Sequence, residues 1–395
     1  MDFILTEEQQ LLKDSVERFL EKNYSFELRR SMVAERQAMS AQIWEGFAGL
    51  GLLGVPFGED YGGFGGGGVE TMLVMEALGQ HLVLEPYLST VVLCGGLIDL
   101  GASDWQKKGL LPHIVDGSML LAFAHDEPDS RYALDQVSAR AQAEGDGWVL
   151  HGRKRLVLNG PVADSLIVSA RTGGDGNDAD GVSLFLVDCN DQKLGGQEYP
   201  LFDGTRALNI QLDGVRAGAD AVIGPLGGAM PLIEKAADRA IAALCAEAVG
   251  VMARLQEMTL EYLKTRQQFG VPIGRFQALQ HRAVDMFIQV EQSRSMALLA
   301  AARVDATDAL ERRRAVAAAK EFIGRAGRFV GQQAIQLHGG MGMTDELAVG
   351  HYVKRLAAID ILFGDAAYQR SRFSQLGEDA RPAQFEKPRR SWKTI

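Results

Sequence analysis

Cysteine is scarce in this chain: Cys94, Cys189 and Cys245 are the only three among 395 residues, and they stand far apart. That spacing offers neither a disulfide framework nor a zinc ligand set, and it fits a reducing compartment. Apolar runs are short too, and none reaches the roughly 18 residues that a membrane span requires. The opening Met1-Asp2-Phe3-Ile4-Leu5-Thr6-Glu7-Glu8 is acidic where a secretory signal needs a basic start. Positive charge is in deficit, with 41 Lys and Arg against 51 Asp and Glu, and a net charge of −10 argues against a nucleic-acid surface. His338 has no second histidine or cysteine at ligand spacing, so no metal is expected. These absences point to a cytoplasmic protein with no membrane, metal or nucleic-acid partner. The one compact basic run, Arg312-Arg313-Arg314, follows Glu311 and leads into an alanine-rich segment, which reads as a solvated helix start.

What is present is an ordinary globular composition, 47% hydrophobic and 23% charged, over a length that implies two or three domains. Residues 1–118 read as an N-terminal helical domain. Thr6-Glu7-Glu8-Gln9 forms a capping box, and Leu11, Leu12, Val16, Phe19 and Leu20 follow at helical spacing. A second helix begins near Val69. The glycine-rich run 62–68 lacks the lysine and the preceding strand of a nucleotide loop and reads as a flexible turn. Residues 119–224 break into short strands (120–124, 137–143, 148–151, 166–170 and 182–187) separated by glycine and aspartate turns, as in a small barrel or two packed sheets. The polar loop 173–178 is expected to be mobile. Over 225–376, four long helices (230–266, 276–306, 312–336 and 346–375) carry apolar residues at three- and four-residue steps, as an antiparallel bundle requires. Residues 377–395 form a polar tail. The fold class is α+β, mostly α.

Two motifs carry the chemistry. Arg266-Gln267-Gln268-Phe269-Gly270-Val271-Pro272-Ile273-Gly274-Arg275-Phe276-Gln277 interrupts a helical pattern and exposes backbone amides beside an arginine, which suits a phosphate or a flat polar ring. Gln336-Leu337-His338-Gly339-Gly340 joins an amide side chain to two residues without Cβ atoms, so a bulky ligand can approach the backbone. Together with Tyr61-Gly62-Gly63-Phe64-Gly65, Phe123-Ala124, Glu127-Pro128 and Asn159-Gly160, these motifs resemble the acyl-CoA dehydrogenase family over nearly the whole chain. The opening residues and the 63–79 region look most like the branch that supplies the small subunit of pimeloyl-CoA dehydrogenase.

The resemblance implies an FAD-dependent oxidation of the α–β bond of an acyl-CoA thioester. FAD contacts fall to Arg266, Phe269, Gln277, Gln336, Gly339 and Gly340, some of them reaching the flavin of a neighbouring subunit. It also implies electron-transfer flavoprotein as electron acceptor, a dicarboxylic acyl group, and a homotetramer or α2β2 heterotetramer. Alpha C–H bonds are weak acids, so this chemistry needs a carboxylate base. Yet the family's two base positions fall on Gly364 and Ala240, and neither side chain can take a proton. Glu247, alone on an apolar helical stretch, and Asp365, directly after the glycine, are the candidate bases; Asp360 reads as an ion-pair partner of Arg355 or Lys354. The flavin-facing strand departs as well, with Leu156-Val157-Leu158 where the family sets an aromatic and a hydroxyl residue, and Asp126 where a hydroxyl is usual. These departures keep a second function open: a catalytically inert structural subunit that shapes a partner's site.

Overall fold

The computed structural model describes residues 5–176 and 178–379. The N-terminal helices are α1 (Glu7–Asn23), α2 (Phe26–Ala34), α3 (Ala41–Gly49), α4 (Gly68–His81), α5 (Gly96–Gly101) and α6 (Asp104–Val115). The capping box at Thr6 forms as expected, with the Gln9 amide N–H donating to Thr6 Oγ1 at 3.2 Å and the Thr6 N–H donating to Gln9 Oε1 at 3.0 Å. Between α4 and α5 the chain winds as a fully buried π-helix, Tyr87–Gly95, a wide form that recurs at functional sites. Within the run 62–68, Gly62, Phe64 and Gly65 are exposed while Gly63 is tightly packed. A Cβ on Gly63 would stand 2.1 Å from the Phe57 carbonyl oxygen, so glycine is what lets the two backbones meet.

The middle region is a single hydrogen-bonded mixed sheet whose β3/β7 and β4/β5 parts share one core, in keeping with the barrel-like domain expected. Its strands are β1 (Leu121–Ala124), β2 (Arg140–Glu144), β3 (Gly147–Leu158), β4 (Ser165–Arg171), β5 (Val182–Asp188), β6 (Leu194–Pro200), β7 (Arg206–Ala217) and β8 (Val222–Ile223). The order is β6-β7-β3-β2-β4-β5-β8, with β1 parallel to β4. The central strand β4 is buried on both faces because both are covered. Leu166, Val168 and Ala170 enter the core of the sheet itself, while Ile167, one residue out of phase, enters the helical core. The loop expected to be mobile is tied down by buried Arg171, whose guanidinium donates to the carbonyls of Val137, Asp135, Asp178 and Asp180.

The C-terminal bundle is built on α7 (Met230–Thr265). Every residue of α7 from Ala240 to Met252 is buried, the signature of a helix with neighbours on all sides. After a two-stranded hairpin of β9 (Gln267–Gln268) and β10 (Val271–Pro272) come α8 (Gln277–Arg303) and α9 (Ala309–His338). The fourth expected helix is broken in two, α10 (Val349–Ile361) and α11 (Ala366–Asp379). The break holds Phe363 at φ 57° and Gly364 at φ 99°, left-handed backbone that no α-helix continues through. The polar tail from 380 onward lies outside the described residues, as do residues 1–4.

Candidate active site

A cleft of about 800 Å³ opens between one face of the sheet, the π-helix and the bundle. The sheet contributes Phe123, Asp126, Arg155, Leu156 and Leu158; Leu93 comes from the π-helix, and Ala237 and Ile241 come from α7. Phe363, Asp365 and Tyr368 enter from the break between α10 and α11. β3 is irregular where it meets the cleft: the pairing with β7 shifts between Lys154 and Val157, and Leu156 takes φ 52°. A left-handed leucine beside a cavity is strain kept where a ligand is shaped.

Beneath the sheet wall lies a buried polar network. Lys154 Nζ donates to Glu127 Oε1 at 2.7 Å, to Ser169 Oγ at 2.9 Å and to the His125 carbonyl at 3.1 Å. The His125 ring stacks on Phe123, with centroids 5.2 Å apart, and burial beside the Lys154 ammonium pushes its pKa down to about 3, so it stays neutral. The neighbouring Asp126 is half-buried in the cleft wall. Desolvation pushes its carboxyl up to about 6 against the pull of Arg155 and Lys154.

Of the expected bases, only Asp365 lines the cleft. Its Oδ1 caps α11 by accepting from the Tyr368 amide at 2.9 Å. Tyr132, on the loop opposite, has its phenol pushed up by burial and by the carboxylates of Asp365 and Asp360. Glu247 is elsewhere. Both its oxygens accept from Arg355, at 2.5 and 2.8 Å, and a third N–H of the same guanidinium reaches Asp203 Oδ2 at 2.8 Å. The carboxylate is turned to an arginine and does not line the cleft, and the ion pair joins α7 to α10 and to the turn before β7. Asp360 pairs with Arg328 at 3.2 Å and accepts from the Ala366 amide, rather than pairing with Arg355 or Lys354. The two vacant base positions have surroundings of different kinds: Ala240 is fully buried in α7, and Gly364 sits in the left-handed break.

The expected FAD contacts gather at the other end of the bundle. Arg266, Phe269 and Gln277 are exposed around the hairpin, and Gln336, Gly339 and Gly340 are exposed at the end of α9. The two ends are held together by Tyr262 against buried His338, ring centroids 4.5 Å apart. Phe269 is 90% exposed and packs only edge-on to Phe276, and Arg266 makes no salt bridge among the described residues. Positions Gly339 and Gly340 have open space where a side chain would be. A free guanidinium, an uncovered ring and bare backbone suit the phosphates and rings of a dinucleotide. None of these six residues lines the cleft. From Ile241 in the cleft to Thr265 beside Arg266, α7 rises about 36 Å.

Sequence reasoning missed several cleft residues. The basic run at 312–314 is not a solvated helix start: Arg312 is buried against Asp238 at 3.0 Å, and Arg313 pairs with Glu234 at 2.6 Å on the cleft wall. Five buried side-chain atoms lack a partner among the described residues, and two of them are Arg155 Nε and Arg313 Nε, both on this wall. Lys320, fully buried on the bundle-facing side of α9, was also missed. The available signal was a lone lysine on the stripe that also holds Ala317, Ile323 and Gly327.

A cleft between a sheet and a helical bundle, with an exposed arginine and glycines at the far end of the bundle, is the arrangement that comparison with known proteins assigns to a family. Family models for the N-terminal, middle and C-terminal domains of acyl-CoA dehydrogenase match residues 6–118, 122–212 and 230–375. The acyl-CoA dehydrogenase FadE12 of Mycobacterium tuberculosis is 31% identical over 352 residues, covering 88% of this chain and 90% of the relative. The chain belongs to the acyl-CoA dehydrogenase family. Among solved structures, the ChsE4–ChsE5 complex of Mycobacterium tuberculosis has a TM-score of 0.87 at 29% identity, covering 97% of this chain and 100% of that one. The structure of PigA with FAD and proline has a TM-score of 0.87 at 28% identity, covering 95% and 98%.

Proposed function

We propose that this chain is a subunit of an FAD-dependent acyl-CoA dehydrogenase that converts an acyl-CoA thioester to the trans-2-enoyl-CoA, with Asp365 as the base. The observation that carries this reading is the cleft itself, where an acid follows the glycine at the family's base position and faces the sheet wall. Asp365 takes the proton from the carbon alpha to the thioester. Bound FAD supplies the acceptor for the hydride that leaves the β carbon. Leu156 and Leu158 give one apolar face for a flat ring, and the leucine at 158 leaves hydrogen bonding on that strand to the backbone. Arg266, Phe269, Gln277, Gln336, Gly339 and Gly340 lie too far from the cleft to serve it within one chain, so they complete the site of a second subunit. The assembly is therefore a tetramer, homomeric or α2β2, with electron-transfer flavoprotein as acceptor, as the family resemblance implies.

The acyl group proposed is dicarboxylic. Arg155 and Arg313 stand on the cleft wall, and a distal carboxylate in the cleft would meet cationic side chains there. Anaerobic titration of the FAD-loaded assembly tests the whole reading. An acyl-CoA should bleach the flavin, pimeloyl-CoA more tightly than heptanoyl-CoA, and Asp365→Asn should retain FAD while losing the bleaching. Normal bleaching in that variant would remove Asp365 as the base.

A second reading is supported by one specific observation: Asp365 Oδ1 is already committed to capping α11, while Gly364 and Ala240 occupy both usual base positions. On that reading the chain is a structural subunit that lends its hairpin and α9 terminus to a catalytic partner. The likeness to the two-protein ChsE4–ChsE5 complex supports such an arrangement. A purified chain that is colourless alone and yellow only with its partner would favour it.

A further inference from the structure

Lys320 sits mid-way along α9 with no solvent exposure, and no carboxylate stands within salt-bridge distance of it among the described residues. Its ammonium donates instead to three carbonyl oxygens: Ile359 at 2.7 Å, Asp360 at 2.8 Å and Gly364 at 3.3 Å. The first two belong to the last turn of α10, where carbonyls have no partner within the helix. The third belongs to the residue immediately before Asp365. One side chain therefore bridges the end of α10 and the loop that carries the acid.

The surroundings favour a fixed loop. Gly324, one turn from Lys320 on α9, has no Cβ, and one built there would stand 2.2 Å from Asp360 Oδ1, so the end of α10 lies directly against α9. Gln369 Nε2 holds the Phe363 carbonyl at 2.7 Å from the α11 side. Phe363 and Gly364 are both left-handed, a conformation that persists only where the surroundings over-determine it. A buried ammonium is a costly way to end a helix, since its water must be stripped and no counter-charge touches it. Burial accordingly pulls its pKa down, opposed by Cys245, Asp360 and Asp365. A glycine cap would close α10 more cheaply. What the lysine adds is a link from α10 across the break to Gly364.

We propose that Lys320 is the positioning residue of loop 362–365: through three carbonyls it fixes the break between α10 and α11 so that Asp365 is presented to the cleft. This rests on the proposed role of Asp365, and two arms of one experiment separate the two claims. Amide hydrogen exchange is measured on the FAD-loaded assembly of wild type and Lys320→Met, alongside steady-state kinetics with an acyl-CoA. The expected result is at least tenfold faster exchange across residues 362–369, with β4 and the centre of α7 unchanged, FAD occupancy intact, kcat down at least tenfold and KM within threefold. Unchanged exchange in that segment overturns the proposal. So does a loss of kcat accompanied by loss of FAD and by faster exchange throughout the bundle, which is what a purely structural lysine would give. A loosened loop in an assembly whose wild type never oxidises an acyl-CoA supports the positioning of the loop and overturns the catalytic reading alone. Should Lys320→Met fail to fold, Lys320→Gln keeps donors for part of the set, and its exchange across residues 362–369 is expected to be faster than that of wild type; exchange equal to wild type overturns the proposal.

Discussion

At Arg355 the guanidinium gives two N–H groups to Glu247 and another to Asp203, all within the protein interior. Burial alone would lower the arginine's pKa, but the two carboxylates hold it well above its usual value. Removing the cation leaves two buried charges uncompensated, so Arg355→Met should destabilise by about 3–5 kcal/mol in urea unfolding. Glu247→Gln should cost less and leave flavin bleaching per folded enzyme unchanged. A collapse of bleaching there would restore Glu247 as a base. Asp126 behaves oppositely, because it has no strong partner. Its folded pKa of about 6 lies above the ordinary 3.8, so the native state keeps a proton that the unfolded chain has lost between those values. Stability therefore falls as pH rises through that window and stays low above it. Asp126→Asn should be more stable than wild type by about 1–3 kcal/mol near neutral pH, with the advantage gone at about pH 4. Equal stability at both pH values would contradict the burial argument. In the sequence, Glu247 stands among apolar residues and Asp126 between His125 and Glu127, and only the fold shows that one has an arginine and the other a cleft.

Among the elements, those with strong apolar periodicity were legible and those at edges were not. The long helices α7, α8 and α9 were expected within a few residues of their observed bounds, because their stripes persist over many turns. β6, with sequence Leu-Gly-Gly-Gln-Glu-Tyr-Pro, is a largely exposed edge strand whose glycines and proline disguise it, and it was missed together with its partner β7. The break between α10 and α11 was hidden as well, since apolar spacing runs through it and only Gly364 marks the spot. That break also bears on the empty base position. A Cβ on Gly364 would stand 2.3 Å from Tyr368 Cδ1, and its φ of 99° is costly for any L side chain. Restoring an acid there by Gly364→Glu should therefore lower stability by about 1–3 kcal/mol and give no gain in turnover. Thermal unfolding and flavin bleaching of that variant check both statements; a stable, faster enzyme would show that the loop is freer than its packing indicates.

Across the whole molecule, the expected cofactor residues and the cleft occupy opposite ends of one bundle. Sequence motifs singled out residue types suited to a phosphate and a ring, but linear spacing does not say which end of a long helix faces which site. If both ends hold parts of one cofactor, as proposed, the distance between them makes assembly a condition of its binding. The surface that would meet a second subunit is also visible: along α8, Val284, Phe287 and Ile288 are exposed at three- and four-residue steps, with Phe269, Met341 and Met343 exposed near the same end of the bundle as Gln277. Scattered exposed side chains are normal, but the α8 residues repeat along one helix face, and in the proposed assembly that face is where a second subunit would dock. Phe287→Glu places a charge on that stripe without touching the cleft, whose lining contains no residue of α8. The variant should shift the assembly to smaller species in analytical ultracentrifugation and lose FAD in proportion, while the far-ultraviolet circular dichroism of each subunit stays unchanged. If Phe287→Glu dissociates and still holds stoichiometric FAD, the cleft of a single chain suffices for the cofactor, and the residues at the far end of the bundle serve something else.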